Sequence, residues 1–331
     1  MPSTVPEMIA PGRTLIHVAV GVIWRGGRVL IARRPEGAHQ GGLLEFPGGK
    51  VEPGETVQQA LVRELLEETA VTVSPGDLQP LIGIRHDYGD KEVFLDVWEA
   101  RVSSGEPRGL EGQPVFWLSP DDLLAGDFPA ANRPIIGAIR LPRQLAITGE
   151  STSLKDAVER TVAGQLHSRS PLVVLRLPSL SPQAYTEAVA HCLRDLPEAS
   201  LMVHDRPELV ADMPVAGVHL SWRRAAELAE RPVPDDRWLG VSCHSGAELA
   251  HAAAIGADYA TLGPVLPTSS HPGNPGIGWD RFTELAGNAV IPVYALGGTG
   301  PEHLERALQA GGQGIAGISW WWPAPDNELE A

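Results

Sequence analysis

A chain of 331 residues with 43% apolar and 20% charged residues is long enough for two soluble globular domains and too long for one typical domain. Its net charge of −15 repels nucleic-acid phosphates and anionic membranes, which excludes both as partners, while a small anionic substrate stays possible if a metal ion bridges it to the protein. No apolar run reaches membrane-spanning length, MPSTVPEMIAPGRT has no basic region followed by an apolar stretch, and the two cysteines, Cys192 and Cys243, read as buried thiols of a cytoplasmic protein.

Residues 14–34 alternate as strands do, TLIHVAVGVIWRGG and then RVLIARR, and Gly26-Gly27 predicts a hairpin between them. PGGKVEPGE then leads into a helix. Thr56 and Gln59 predict a capping box, and Val57, Leu61 and Leu65 make the stripe that packs. Beside that stripe Glu64, Glu67 and Glu68 fall within an arc of roughly 100°. Like charges at this spacing weaken a helix. The helix alone leaves two readings open: a solvated acidic face, or a carboxylate cluster for a hard divalent cation such as Mg²⁺. The Gly-Gly turn, Glu55 before the helix and Arg63 within it favour the second.

LPRQ, residues 141 to 144, follows without a long linker and divides the chain into domains 1–140 and 141–331. Beyond it QLAIT, PLVVLR, SLMVHD, AGVHL, WLGVSC, YATLGP, IPVYALGG and QGIAGIS read as strands. Between them lie the helical stretches SLKDAVERTVAGQL, PQAYTEAVAHCLRDL, WRRAAELAE, SGAELAHAAAIG and GPEHLERALQAG. This alternation predicts a (β/α)₈ barrel, whose chemistry sits at the C-terminal strand ends and whose phosphate sites often follow strands seven and eight. Gly297 and Gly298 end the seventh candidate strand and Ser319 the eighth, so their N–H groups are candidates for a phosphate cradle. The usual last helix is missing from the pattern: Trp320, Trp321, Trp322 and an acidic tail stand there instead. Those tryptophans either cover apolar surface or, with Trp222, stack on a heterocycle at the mouth.

Taken as one window, residues 48–71 resemble the Nudix box, G-x(5)-E-x(7)-R-E-U-x-E-E-x-G-U with U aliphatic, through Gly49, Glu55, Arg63, Glu64, Leu65, Glu67, Glu68 and Val71. Ala70 stands where the family has glycine, which predicts a slightly reshaped helix end. Over about residues 14–140 the strings LIARRPEGAH, LEFPGGKVEPGE, LEGQPVFWLSPDDL and DFPAANRPII resemble the MutT branch, which hydrolyses oxidised purine nucleoside triphosphates such as 8-oxo-dGTP. The resemblance implies an α/β/α sandwich with a mixed sheet. It implies Mg²⁺, replaceable by Mn²⁺, held by Glu64, Glu67 and Glu68 with the carbonyl of Gly48 or Gly49. Glu111 would be a further metal or base carboxylate, and Glu55 would orient its loop. Water would attack an internal phosphorus to give nucleoside monophosphate and pyrophosphate, with Arg63 in the catalytic set, Glu64 as first candidate for general base and Glu111 as second. Arg34 matches a substrate contact and Phe46 a base-pocket residue. Asn132 either caps the helix beginning near Pro134 or contacts the base. An asparagine amide can accept from the N7–H of an 8-oxo purine and donate to O6, whereas unoxidised N7 would set acceptor against acceptor. The resemblance favours the base contact.

The strings GVHL, GVSCHS, GADYATLGPVLPTSSHPGNPGIGWD and ALGGTGPEHL resemble the thiamin-phosphate synthase and thiazole tautomerase (TenI) family over about residues 142–320. This implies a phosphate-bearing thiazole or pyrimidine ligand and the candidate contacts Arg176, Asp205, Ser242, His244, Thr268, Ser270, Gly297, Gly298 and Ser319. His244 matches the tautomerase acid/base. The family's QLRxK reads VLRLP, which keeps Arg176 but puts Val174 and Pro178 in place of glutamine and lysine. His204-Asp205 replaces ND, Arg224 stands for the second metal aspartate, and His271 for a lysine. A lone Asp205 facing an arginine is a poor Mg²⁺ pair, so the barrel is expected to be a degenerate or ligand-binding module. The alternative for the whole chain is a bifunctional thiamin biosynthesis or salvage protein whose Nudix part cleaves a thiamin-related pyrophosphate.

Overall fold

Strand β1 (Leu15–Arg25) turns through Gly26 and Gly27 into β2 (Arg28–Arg33). Both glycines have positive φ, 58° and 76°, the mirror-image turn that matches the twist of paired strands. The computed structural model describes residues 15–37, 40–87, 92–102, 104–168, 170–268 and 273–322. The chain divides into two units, Met1–Leu141 and Pro142–Ala331.

In the first unit β3 (Leu44–Glu45), β4 (Gly48–Lys50), α1 (Val57–Thr69), β5 (Gln79–Asp87), β6 (Glu92–Arg101), β7 (Val115–Leu118) and α2 (Arg133–Arg140) follow the hairpin. The sheet order is β3-β2-β1-β6-β5, with β4 also on β1 and β7 also on β2. It is mixed, because β1 runs parallel to β6 and antiparallel to β2 and β4. Successive side chains of β1 point to opposite faces. Ala19 and Ile23 pack with Val57, Leu61 and Leu65 of α1, the predicted stripe. Val20 and Val22 pack with Ile135 and Ile136 of α2 on the other face. The expected α/β/α sandwich follows from that alternation.

The capping box forms: Gln59 N–H donates to Thr56 Oγ1 (3.2 Å) and Thr56 N–H to Gln59 Oε1 (2.8 Å). At the other end Ala70 takes φ 58° and ψ 19° so that its N–H reaches Leu66 O (3.2 Å). The helix end keeps the left-handed geometry a glycine would adopt, and alanine bears the steric cost. Ala70→Gly is therefore expected to stabilise the first unit by about 1 kcal/mol, read as a rise of a few degrees in its Tm. An unchanged or lower Tm would contradict the strain.

The second unit is a closed barrel of β8 (Gln144–Ile147), β9 (Leu172–Leu175), β10 (Ser200–His204), β11 (Gly217–Leu220), β12 (Trp238–Cys243), β13 (Tyr259–Leu262), β14 (Val293–Leu296) and β15 (Gly314–Gly317). All neighbours are parallel and β15 closes on β8. Each strand lies in a segment read from the sequence. The helices are α3 (Leu154–Ser168), α4 (Pro182–Asp195), α5 (Leu209–Asp212), α6 (Trp222–Ala225), α7 (Gly246–Ala254), α8 (Gly278–Gly287) and α9 (Leu304–Gln309). WRRAAELAE forms only the single turn α6: bonds from Glu227 N–H to Arg224 O and Leu228 N–H to Ala225 O tighten it before Pro232 and Pro234. The sequence reading omitted α5 and α8, although α8 buries Phe282, Leu285 and Ala286.

Among the described residues no helix follows β15. Trp321 and Trp322 are buried and stack with ring centroids 6.2 Å apart. Trp321 lies on Gly164 of α3, where a Cβ would come within 2.6 Å of its carbonyl oxygen. Trp322 lies on Gly149 and under the Arg160 guanidinium, 4.5 Å from the ring centroid. These two rings cover the apolar surface at that point. Both cysteines are free and buried. Among the described residues no helix is long and apolar enough to cross a membrane.

Candidate functional site

The Gly-Gly pair read as a turn is strand: β4 runs antiparallel to β1 with Gly49 opposite Ala19. Gly48 has φ 146°, and a Cβ on it would overlap Ala19 O. A Cβ on Gly49 would overlap the Glu64 carboxylate, so glycine lets helix α1 lay that side chain directly on the strand.

Arg63 organises the acids around it. Its Nε and Nη2 donate to both oxygens of Glu55 (2.8 and 2.9 Å), and its Nη1 to Glu64 Oε1 (2.8 Å) and Glu67 Oε2 (3.3 Å). Nη2 also reaches Lys50 O (3.2 Å), which ties the helix to β4. The hydrogen bonds from Arg63, with one from Glu52 N–H, hold the Glu55 carboxyl down at about 2. Glu55 thus orients the loop, and Glu67 stays the most exposed of the group at 59%.

Glu68 accepts from Gly48 N–H (3.2 Å). Burial, and then the charges of Glu64, Glu45 and Glu111, push its pKa up to about 7 against the pull of that hydrogen bond. Glu45 is raised too, by burial and by Glu111, with Arg34 opposing. The fold therefore gathers Glu64, Glu68 and Glu111 and adds Glu45, which the sequence reading missed although it lies three residues before Gly48. Gln113 was missed as well. Its Nε2 donates to Glu68 O (3.0 Å) and its Oε1 accepts from Glu111 N–H (3.0 Å). Leu110 N–H also bonds Glu68 O (2.9 Å), so the Glu111 loop is strapped to the end of α1.

Among the described residues no group of three or more His, Cys, Asp or Glu is arranged to hold a metal ion as the side chains stand. The donor set still fits one: it is all carboxylate oxygen, and its members raise one another's proton affinity, the repulsion a hard divalent cation relieves.

The substrate candidates differ in their surroundings. Arg34 is ion-paired with Glu45. Phe46 is buried and stacks on Phe128, centroids 5.4 Å apart. Asn132 precedes α2 at φ −90° and ψ −11° with no capping hydrogen bond from its side chain. The capping reading is not realised, and the amide stays available.

In the barrel, a cavity of about 720 Å³ opens at the C-terminal strand ends. Arg176, Ser242, His244, Thr268, Gly297, Gly298 and Ser319 line it. Asp205 does not: it sits at φ 53°, its Oδ1 accepting from Ser221 N–H (2.7 Å). Ser270 and His271 lie outside the described residues. Of the four tryptophans considered for the mouth only Trp320 lines it, because Trp222 packs edge-on against His251 (5.5 Å). His244 Nδ1 pairs with Glu248 Oε2 (2.9 Å). The reading missed His219 within GVHL. It is buried, bonded to Ser242 Oγ through Nε2 (2.9 Å) and to Tyr259 OH through Nδ1 (3.1 Å), and burial pushes its pKa down to about 3.

The thiamine monophosphate synthase family model matches residues 145–320, and the NUDIX domain model matches residues 19–138. An Escherichia coli K12 protein named 8-oxo-dGTP diphosphatase is 41% identical over 126 residues, which cover 38% of this chain and 96% of that one. A second E. coli K12 protein, named CTP pyrophosphohydrolase, is 35% identical over 124 residues, 38% of this chain and 90% of that one. A thiamine-phosphate synthase of Roseiflexus sp. RS-1 is 29% identical over 187 residues, 55% of this chain and 79% of that one. The chain belongs to the Nudix family in its first unit and to the thiamine monophosphate synthase family in its second.

Gly49→Ala should drive a methyl group into the Glu64 carboxylate. Displacing that group by about 1 Å is expected to lower turnover roughly 100-fold with an unchanged circular-dichroism spectrum, and normal turnover would separate Glu64 from the chemistry. Glu68 supplies a pH test. Its proton is held to about 7 in the folded protein against an ordinary value of 4.5. The native state then binds more protons across that window, and the contribution of Glu68 to stability is lost as pH rises through it. In EDTA, Glu68→Gln should flatten the fall of Tm over this range, and an identical slope in both proteins would refute the raised pKa of Glu68.

Proposed function

We propose that the first unit is a Mg²⁺-dependent nucleoside triphosphate pyrophosphohydrolase of the 8-oxo-dGTP diphosphatase type, acting in cytoplasmic nucleotide-pool sanitation and so in DNA repair. The observation that carries this reading is the convergence of Glu64, Glu68 and Glu111 on one acidic centre, fixed by Arg63 and strapped by Gln113. Glu64, Glu67 and Glu68, with the Gly48 or Gly49 carbonyl and Glu111 at the rim, would hold Mg²⁺ or Mn²⁺. A bound divalent cation neutralises phosphate charge and lowers the pKa of the attacking water.

The chain's own residues supply position and proton transfer. Water attacks an internal phosphorus, the bond to the bridging oxygen breaks, and pyrophosphate leaves with nucleoside monophosphate as the other product. Glu64 takes the proton of the water, with Glu111 as the other candidate, and Arg63 keeps Glu64 aimed. The pair Phe46–Phe128 offers an aromatic wall, and the uncapped Asn132 amide supports discrimination at N7 and O6. Released from Glu45, Arg34 would meet substrate phosphate or sugar. The second unit is read as a ligand-binding module, since Val174, Pro178 and Arg224 replace the side chains a synthase uses on its substrate and metal.

Pyrophosphate release measured with 8-oxo-dGTP, dGTP, CTP and thiamin pyrophosphate tests this. The expected kcat/KM favours 8-oxo-dGTP by about 100-fold or more, and Asn132→Ala collapses the preference while dGTP is still turned over. A preference for CTP would place the protein with the second E. coli relative. A preference for thiamin pyrophosphate would support the bifunctional reading.

A further inference from the structure

Each acid of the first unit's centre has a visible hold except one. Arg63 grips Glu55, Glu64 and Glu67, the Gly48 N–H holds Glu68, and Arg34 pairs with Glu45. Glu111 is exposed, and its carboxylate has no hydrogen bond or ion pair among the described residues. Its charge is nevertheless felt at both Glu68 and Glu45. The place of this carboxylate is therefore set by the backbone that carries it.

That backbone belongs to a helix cap. A helix leaves its last carbonyls without donors of its own, and the segment 108–113 supplies them at the end of α1. Arg108 N–H donates to Thr69 O (3.0 Å), Leu110 N–H to Glu68 O (2.9 Å), and Gln113 Nε2 to the same Glu68 oxygen (3.0 Å). Gln113 is the one side chain among these donors.

The burial pattern singles it out as well. From 104 to 114 every residue is exposed or half-buried except Gln113, which is 8% exposed. A buried amide persists where its hydrogen bonds are met. Its Oε1 accepts from the N–H of Glu111 itself (3.0 Å). The amide fits only one way round, because a flip would set N–H against N–H and carbonyl against carbonyl. Glutamate lacks the donor, asparagine is one methylene short, and an apolar side chain offers neither bond. Gly109 draws the loop tight, since a Cβ on it would overlap Gln113 O.

We propose that Gln113 is a positioning residue of the hydrolytic site, fixing the Glu111 carboxylate at the acidic centre by holding the Glu111 N–H against the end of α1. This deepens the hydrolase reading of the first unit and rests on it. A double-mutant cycle in the full chain, following pyrophosphate release from 8-oxo-dGTP with Mg²⁺, tests it. Gln113→Met is expected to lower kcat about tenfold or more with KM little changed, and to cost nothing further in a Glu111→Gln background. Gly109→Ala displaces the loop without altering the amide side chain and should give the same coupled loss. In metal-free protein, Gln113→Met should speed hydrogen exchange at residues 108–113 about tenfold while residues 57–66 of α1 keep their protection.

Equal losses in both backgrounds, full kcat in Gln113→Met or unchanged exchange at 108–113 would each overturn the positioning role. Loss of protection throughout α1 would make Gln113 a residue of the fold rather than of the site and overturn it too. If the unaltered chain releases no pyrophosphate, the hydrolase reading fails and carries this proposal with it. If it does and the losses add, only the role of Gln113 fails.

Discussion

A single guanidinium holds the acidic centre of the first unit in order. Arg63 gives two parallel hydrogen bonds to Glu55, a third to Glu64, a longer one to Glu67 and one to the backbone of β4. Its planar fork makes this possible, since a lysine offers one compact charge and no fixed geometry. The carboxylates would otherwise repel along one face of α1; at Glu68 burial first and then the neighbouring acids still raise the pKa. A helix that looks badly designed in isolation is thus held in order within its fold.

That arrangement depends on close backbone approach. Glu64 can lie on β4 only because Gly49 lacks a side chain, and β4 can pair with β1 at that point only because Gly48 does too. On the far side Gln113 joins the Glu111 loop to the last turn of α1 with both ends of its amide. Charged groups make up the centre, but neutral groups set the distances between them: two glycines and one buried amide.

The second unit keeps its family's strand order and changes what lies at the strand ends. Among the described residues no helix follows β15, and Trp321 and Trp322 cover apolar surface there by packing on Gly149 and Gly164. The next residue back, Trp320, is drawn by the same turn into the mouth. The turn that places Trp321 and Trp322 in the core therefore also sets Trp320 at the cavity.

Elements whose causes are local were legible along the chain. The Gly26-Gly27 hairpin, the Thr56–Gln59 capping box, the Val57-Leu61-Leu65 stripe and the eight barrel strands each follow from turn chemistry or periodicity within a few residues. The spacing of Arg63, Glu64, Glu67 and Glu68 was legible for the same reason, since one helix fixes their relative directions. Contacts between distant segments came only with the fold. It placed Glu45 beside Glu68 and Arg34, made Gln113 a strap, left Asn132 uncapped, linked His219 to Ser242 and Tyr259, and sent Trp320 to the mouth but Trp321 and Trp322 to the core. No periodicity encodes these contacts. They arise from which faces the sheet and the barrel bring together, and a residue's type and spacing carry no record of a neighbour far along the chain.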